Sequence, residues 1–282
     1  MTELQAGVTD GLDEATYHAQ KDSLSVSGAK RLLPPSCPAL FKWELDNGGR
    51  ANKQAFDVGH AAHSEVLGAG APLLVIDADD YRSKSAREQR DEAYDRGEVP
   101  VLVHEHLTVQ AMAKALREHP IASALFDPAH GRPEVSLHWQ DEEHGIKLRG
   151  RLDWLGEQRT PDGRLIVPDY KTTISADRES ISKSVLNYGY AMQDDHYSEG
   201  VRATGLADDV AFVFVFQEKT APYLVNVVEL DPLAKQYGKA KNHLARRIYA
   251  ECLRTGVWPG YSSDVELISL PKWATYGLED AA

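Results

Sequence analysis

Between Glu134 and Thr172 the chain switches to alternating apolar and polar residues, and this stretch constrains the fold more than any other. Val135, Leu137 and Trp139 alternate with polar neighbours. Ile146, Leu148, Leu152 and Leu155 follow a turn at His144-Gly145, and residues 165–170 follow another at Pro161-Asp162-Gly163. The pattern predicts a three-stranded antiparallel meander over 134–172. Helical spacing surrounds it. A short helix is expected over 27–33, with Ser27 as its N-cap and Pro34-Pro35 closing it, and a second with Pro38 at its first position, carrying Phe41 and Trp43. Ala55, Val58, Ala62 and Val66 predict a helix over 52–67, and 79–95 and 104–126 read as charged amphipathic helices. Leu73–Ile76 reads as a brief strand. Downstream, 178–204 is helical with a break near Tyr188-Gly189, strands at 210–216 and 223–230 flank a turn at Thr220-Ala221-Pro222, and Pro232–Thr255 is a long helix ended by Gly256. This order predicts a mixed α/β (α+β) fold with one central mixed sheet of about five strands flanked by helices. Residues 1–24 read as a flexible arm. Residues 25–282 read as one domain, with a helical part over 25–130 and a core over 131–275.

Charge and cysteine content narrow the function classes. With 31 Lys and Arg against 43 Asp and Glu, the net charge is −12, which argues against wholesale coating of nucleic acid. Two basic clusters stand out: Arg82, Lys84, Arg87 and Arg90, and Lys235, Lys239, Lys241, Arg246 and Arg247. Both read as solvated helix faces, with a local basic groove as the alternative. The 2 cysteines, Cys37 and Cys252, are too few for a disulfide scaffold or for a four-cysteine zinc or iron–sulphur site within this chain. No apolar run approaches the roughly 18–20 residues of a membrane span. Residues 1–7 carry neither a basic nor an apolar leader segment, so a cytoplasmic location is expected.

The residues that carry chemistry lie on the expected meander. Gly150-Arg151-Leu152-Asp153 ends one strand, and Val167-Pro168-Asp169-Tyr170-Lys171-Thr172 forms the next. Alternate strand residues share a face, so Asp169 and Lys171 point the same way and Asp153 can face them across the hairpin. Neighbouring carboxylates repel unless a divalent cation holds them, and oxygen ligands favour Mg2+ or Mn2+. A nearby lysine can orient a water or neutralise charge developing on a phosphate. His60 and His63 share a helix face three residues apart, so one could complete a ligand set; a hydrogen-bonded core histidine is the alternative for His63, and an exposed position is expected for His60. Tyr190, Gln193 and Tyr197 line one helical face, with Asp194 and Asp195 facing solvent. His104 and His106 have no evident partner and read as surface residues.

In this order the elements resemble the PD-(D/E)xK nuclease superfamily, its RecB-type nuclease domain and, within that, the RecE-like (exonuclease VIII-type) phage exonucleases. The likeness runs over roughly 25–273. It takes in Ser27, Leu32 and Pro38, the helix with Gly59 and His63, the strand with Glu134, the G-R-x-D and D-x-K strands, and the Y-x-x-Q-x-x-x-Y helix. It implies a restriction-endonuclease-like core and a magnesium- or manganese-dependent deoxyribonuclease acting from ends of linear double-stranded DNA, in phage-type recombination or DNA processing. By the same resemblance Asp153, Asp169 and Lys171 are catalytic, with Gln193 and Tyr197 supporting the lysine and the DNA strand. The implied metal ligands are His63, Asp153, Asp169 and the Tyr170 carbonyl. Glu134 is either a further metal ligand or a strand-edge surface carboxylate. The cluster-bearing branch of RecB-type nucleases is excluded, so no iron–sulphur cluster is expected. The resemblance further implies a homo-oligomer, in several such enzymes a ring, and a single-strand annealing protein as partner. A structure-specific endonuclease or nickase on this fold, a nuclease of RNA, and a non-catalytic DNA-binding protein are the alternatives.

Overall fold

The computed structural model describes residues 6–48 and 57–271. In chain order the elements are β1 (Gly7–Thr9), α1 (Glu14–Ala19), β2 (Ser23–Leu24), α2 (Val26–Arg31), α3 (Pro38–Asn47), α4 (Asp57–Leu67), β3 (Leu73–Ile76), α5 (Lys84–Asp95), β4 (Val99–Leu102), α6 (Val103–Glu118) and α7 (Ala122–Leu125). There follow β5 (Gly131–Asp141), β6 (Ile146–Gly156), β7 (Leu165–Thr173), α8 (Arg178–Asn187), α9 (Tyr190–Ala203), β8 (Val210–Glu218), β9 (Val225–Glu229) and α10 (Pro232–Thr255). The fold is mixed α/β and restriction-endonuclease-like. Positions 52–56 of the expected 52–67 helix, and Trp273, lie outside the described residues.

The strands divide differently from a single sheet. A four-stranded mixed sheet runs β1-β5-β6-β2, β3 pairs with β4, and a three-stranded sheet runs β7-β8-β9. The β5–β6 hairpin is antiparallel, as the alternation predicts, but β7 does not extend it as a third meander strand. β7 pairs in parallel with β8 along its other edge, from Leu165 opposite Val210 to Thr173 opposite Glu218. On the edge toward β6 the Tyr170 N–H donates to the Asp153 carboxylate at 2.8 Å, so a side chain occupies the place of a partner carbonyl and the two strands splay.

Both faces of β8 are covered, which accounts for its continuous apolar sequence. Phe212, Phe214 and Phe216 pack on one face within the larger core, while Val215 joins a second core with Ala61, Ala62, Met112, Trp154 and Tyr170. Each buried phenylalanine contributes about 1.5–3 kcal/mol relative to an exposed one. The ring of Tyr190, at the start of α9, lies 5.4 Å from that of Phe214, which seats α9 over β8.

Several boundaries differ from the sequence reading. Residues 7–24, expected to be a loose arm, add an edge strand to β5 and a helix capped by Asp13, whose carboxylate accepts the Thr16 N–H at 2.8 Å. Tyr17 is anchored there, 7% exposed, with the guanidiniums of Arg149 and Arg151 5.3 and 4.7 Å from its ring centroid. One aromatic ring between two guanidiniums outweighs the polarity of the surrounding stretch. The N-cap of α2 is Ser25, whose hydroxyl accepts the Gly28 N–H, and not Ser27. β4 escaped the reading because Val99–Leu102 is short and contains a proline.

Asp194, expected at the surface, is 3% exposed, and Asp195 is half-buried and accepts the Asn242 amide at 2.8 Å. The cause is α10. Its Gly238 lies so close to α9 that a Cβ there would sit 2.0 Å from the Ala191 carbonyl oxygen. The helix that a solvent-facing Asp194 would need to be absent is therefore pressed against it. Burial pushes the Asp194 carboxyl up to about 6.

His196, also on α9, is buried beside Trp139, with ring centroids 4.8 Å apart, and its Nε2–H donates to the Arg149 carbonyl at 2.9 Å. Burial holds its pKa down at about 3, against an ordinary value of 6.5. A folded-state value below the unfolded one contributes stability that is present above pH 6.5 and lost as pH falls from 6.5 toward 3. We expect His196→Gln to flatten the pH dependence of the unfolding free energy in that interval, measured by urea denaturation. Equal slopes for both proteins would contradict it.

Candidate active site

The splay between β6 and β7 is where the reactive side chains collect. β6 presents Asp153 and β7 presents Asp169 and Lys171 on one face, as strand alternation requires. Asp169 is 1% exposed; its Oδ1 accepts the Gln193 amide of α9 at 2.6 Å, and Oδ2 forms a close ion pair with Lys171 Nζ. That Oδ2 is otherwise buried without a hydrogen-bond donor directed at it. Across the splay, His63 Nε2 of α4 stands 3.2 Å from Asp153 Oδ2. α4 comes this near β7 because Gly59 has no side chain: a Cβ there would be 3.3 Å from Thr172 Oγ1.

Glu134 completes the group. The β5–β6 register passes from Pro133 opposite Trp154 to Val135 opposite Leu152, leaving Glu134 and Asp153 facing each other without pairing. Glu134 has φ 56°, a left-handed conformation that few residues other than glycine adopt and that tends to occur at functional sites. Its carboxylate is half-buried, 3.0 Å from an Arg151 guanidinium nitrogen and 3.9 Å from His63 Nδ1. It is thus a buried-site carboxylate and not a strand-edge surface group.

The charges are interdependent. Burial opposes the positive charge of His63, yet Asp153 and Glu134 outweigh it and raise the imidazole above its usual value. Burial pushes the Asp153 carboxyl up, but His63 and Lys171 more than reverse it, so Asp153 is held ionised. Asp169 goes the other way: burial and the charge of Asp153 raise it, against the pull of Lys171. Lys171 is raised because Asp169 and Asp153 overcome its burial. Two carboxylates driven apart in this manner form a site that a further cation would relieve.

The chemistry of these side chains suits a divalent ion. The donor set is two carboxylates and an imidazole nitrogen, and Asp169 Oδ2 is buried with the Lys171 ammonium as its partner. In an extended strand a residue's N–H and C=O open to the same edge, so the Tyr170 carbonyl opens toward β6, where its N–H already meets Asp153. The fold therefore brings together His63, Asp153, Asp169, Tyr170, Lys171, Glu134 and Gln193. Tyr197, one turn beyond Gln193, packs against Gly150 and lies 5.9 Å from the Phe212 ring. It is half-buried beneath β6, where it bonds the Arg151 backbone and feels the charges of Asp153 and Asp169. His60 and His104 are exposed, whereas His106, expected at the surface, is half-buried in the first turn of α6 with its Nδ1 shielded from solvent.

Two side chains of the site, Arg151 and Lys30, were not singled out as functional from the sequence. Arg151 shares the Asp153 face of β6 and also reaches the Leu12 carbonyl; its position two residues before Asp153 is a signal that alternation could have used. Lys30 of α2 places Nζ 5.7 Å from the Tyr190 ring centroid, and Lys171 Nζ lies 5.5 Å from the same centroid. Burial, together with Lys171, lowers Lys30 to about 8. Only the tertiary fold brings α2 there. Members of both basic clusters are paired within the chain: Arg82 faces Asp80, Lys84 faces Glu88, Lys235 faces Glu229 and Arg246 faces Glu199.

Removing one member of a buried ion pair typically costs about 3–5 kcal/mol because the other charge is left unpaired. Lys171→Met is expected to destabilise the fold by that order, and Asp169→Asn combined with it to recover most of the loss. Guanidinium denaturation of the two single variants and the double variant measures the coupling. Additive effects would mean that Asp169 and Lys171 do not stabilise one another.

Two comparisons with known proteins found likenesses of family and of fold. Residues 25–271 match the family described as a PDDEXK-like domain of unknown function (DUF3799). Among solved structures, a protein from Eubacterium rectale, named as a candidate exonuclease, superposes with a TM-score of 0.60 at 15% identity, over 95% of this chain and 98% of that one. At that identity the likeness concerns the fold. No curated protein matches the chain in sequence.

Proposed function

Because the chain belongs to the PDDEXK-like DUF3799 family, within the PD-(D/E)xK nuclease superfamily, we propose that it is a metal-dependent deoxyribonuclease that hydrolyses phosphodiester bonds from the ends of linear double-stranded DNA. The observation that carries this reading is the meeting of Asp153, Asp169, Lys171 and His63 at the β6–β7 splay. The candidate exonuclease that shares the fold supports the exonuclease form of it.

His63, Asp153, Asp169 and the Tyr170 carbonyl would hold a magnesium or manganese ion, which supplies a Lewis acid for the phosphoryl oxygen and lowers the pKa of a bound water. The chain's own residues do the positioning. Gln193 fixes one oxygen of Asp169 and so sets the direction of the other. Lys171 Nζ, a donor with three protons, holds the attacking water and faces the charge that grows on the phosphate. Tyr190 covers the ammonium on one side with its ring, which limits water there. Arg151 holds Glu134 against His63 and keeps the imidazole turned toward Asp153.

A homo-oligomer, a single-strand annealing partner, a cytoplasmic setting and a part in phage-type recombination belong to this reading on the family resemblance alone. Among the described residues no helix is long and apolar enough to cross a membrane.

The test is digestion of linear duplex DNA beside covalently closed circles in Mg2+, with wild type and Lys171→Ala. We expect loss of the linear duplex only, reduced by about two to four orders of magnitude in the variant, the usual worth of a positioned catalytic group. Cleaved circles would replace the exonuclease by an endonuclease. No cleavage of either DNA in Mg2+ or Mn2+ would leave a binding protein in its place.

A further inference from the structure

A second cluster of metal-ligating side chains lies away from the splay, where the β5–β6 turn meets α10. Glu143 and His144 on the turn and His243 on α10 each offer one ligand atom, and these atoms all lie within 4.8 Å of one another. His243 Nε2 is 2.8 Å from Glu143 Oε1, and the two imidazole centroids are 5.1 Å apart.

The turn is built to aim His144. Asp141, 7% exposed, accepts the backbone N–H groups of Glu143 and His144 on Oδ1, at 3.1 and 3.2 Å. Its Oδ2 lies 3.1 Å from His144 Nδ1. A carboxylate can only accept, so Nδ1 is the donor, and in the neutral ring Nε2 is the nitrogen that keeps a lone pair. A buried carboxylate that fixes the tautomer and raises the basicity of an imidazole is the usual support of a metal-bound histidine. The cation close by does not cancel this arrangement. Arg246 makes two 2.8 Å contacts to Glu199 and approaches Asp141 only to 3.6 Å.

We propose that Glu143, His144 and His243 bind a zinc ion, with water completing the coordination and Asp141 positioning His144. Two imidazoles and one carboxylate form a nitrogen-rich set that suits zinc and not magnesium, in contrast to the oxygen-rich set at the splay. Zinc ligands stand about 3.3 Å apart in tetrahedral geometry, a contraction that the exposed Glu143 and His243 side chains can make. Binding exchanges the His243–Glu143 hydrogen bond for two metal bonds, and the neutral His243 ring then carries its one proton on Nδ1. The result is a cross-link between the hairpin that bears Glu134 and Asp153 and the last helix of the core.

The experiment uses the full chain, stripped of metal with a chelator and titrated with Zn2+ by calorimetry, with thermal melting in parallel. The variants are His243→Gln, Asp141→Asn, and the splay variant Asp153→Asn/Asp169→Asn. We expect one Zn2+ site that survives the splay variant, is lost in His243→Gln, and is weakened about 10–100-fold in Asp141→Asn. Zn2+ should raise the melting temperature of wild type and the splay variant but not of His243→Gln. His243 is half exposed, so its replacement does not endanger folding. Zn2+ binding unaffected by His243→Gln, or removed by the splay variant alone, would overturn the proposal. Either result would leave the nuclease reading to its own assay.

Discussion

The hydrogen bond from the Tyr170 N–H to the Asp153 carboxylate sets the arrangement of the site. A strand edge needs its N–H groups satisfied, and a sheet would ordinarily do so with backbone carbonyls. Supplying a side-chain oxygen instead satisfies the donor, ends the ladder and opens a gap between two sheets. The same carboxylate then faces His63 from the other side. One group thus closes a backbone account and opens a polar cleft between two hydrophobic cores.

Charge in that cleft is arranged by opposition. Asp153 and Glu134 share His63, Glu134 also pairs with Arg151, and Asp169 contacts Lys171 and Gln193. The two carboxylates of the D…D-x-K pattern both feel Lys171, but Asp153 also has His63 against it while Asp169 is more strongly raised by burial and by the charge of Asp153, and their protonation preferences diverge for that reason. Lys30 and Lys171 flank one tyrosine ring, so the cation that is fully paired and the one that is largely desolvated sit close together. Such an array is stable only where the walls are rigid. β8, packed on both faces, and α10, pressed against α9 at Gly238, provide that rigidity.

Much of this was legible in the sequence. The β5–β6 hairpin, the break at Gly189, the β8–β9 pair and the full extent of α10 follow from alternation, helical spacing and turn residues. So do the shared face of Asp169 and Lys171 and the place of His63 on its helix. What escaped depends on tertiary partners. The departure of β7 from the meander is decided by β8, which lies far along the chain, and by a side chain standing in for a carbonyl. The burial of Asp194 is decided by α10, and the ordering of residues 7–24 by Tyr17 between two arginines of β6. Local periodicity carries no record of any of these.

The parallel pairing of β7 with β8 has a kinetic meaning. Between the two strands lie α8 and α9, and Gln193, which fixes Asp169, is part of that crossover. A parallel pair of this kind forms slowly because a long loop must close before any contact repays it. A chain still leaving the ribosome can complete the β5–β6 hairpin, with Glu134 and Asp153 in place, long before β8 exists. The cleft then has one wall. The opposing wall is locked in place only with the last third of the chain, so the cleft is among the last parts of the molecule to be completed.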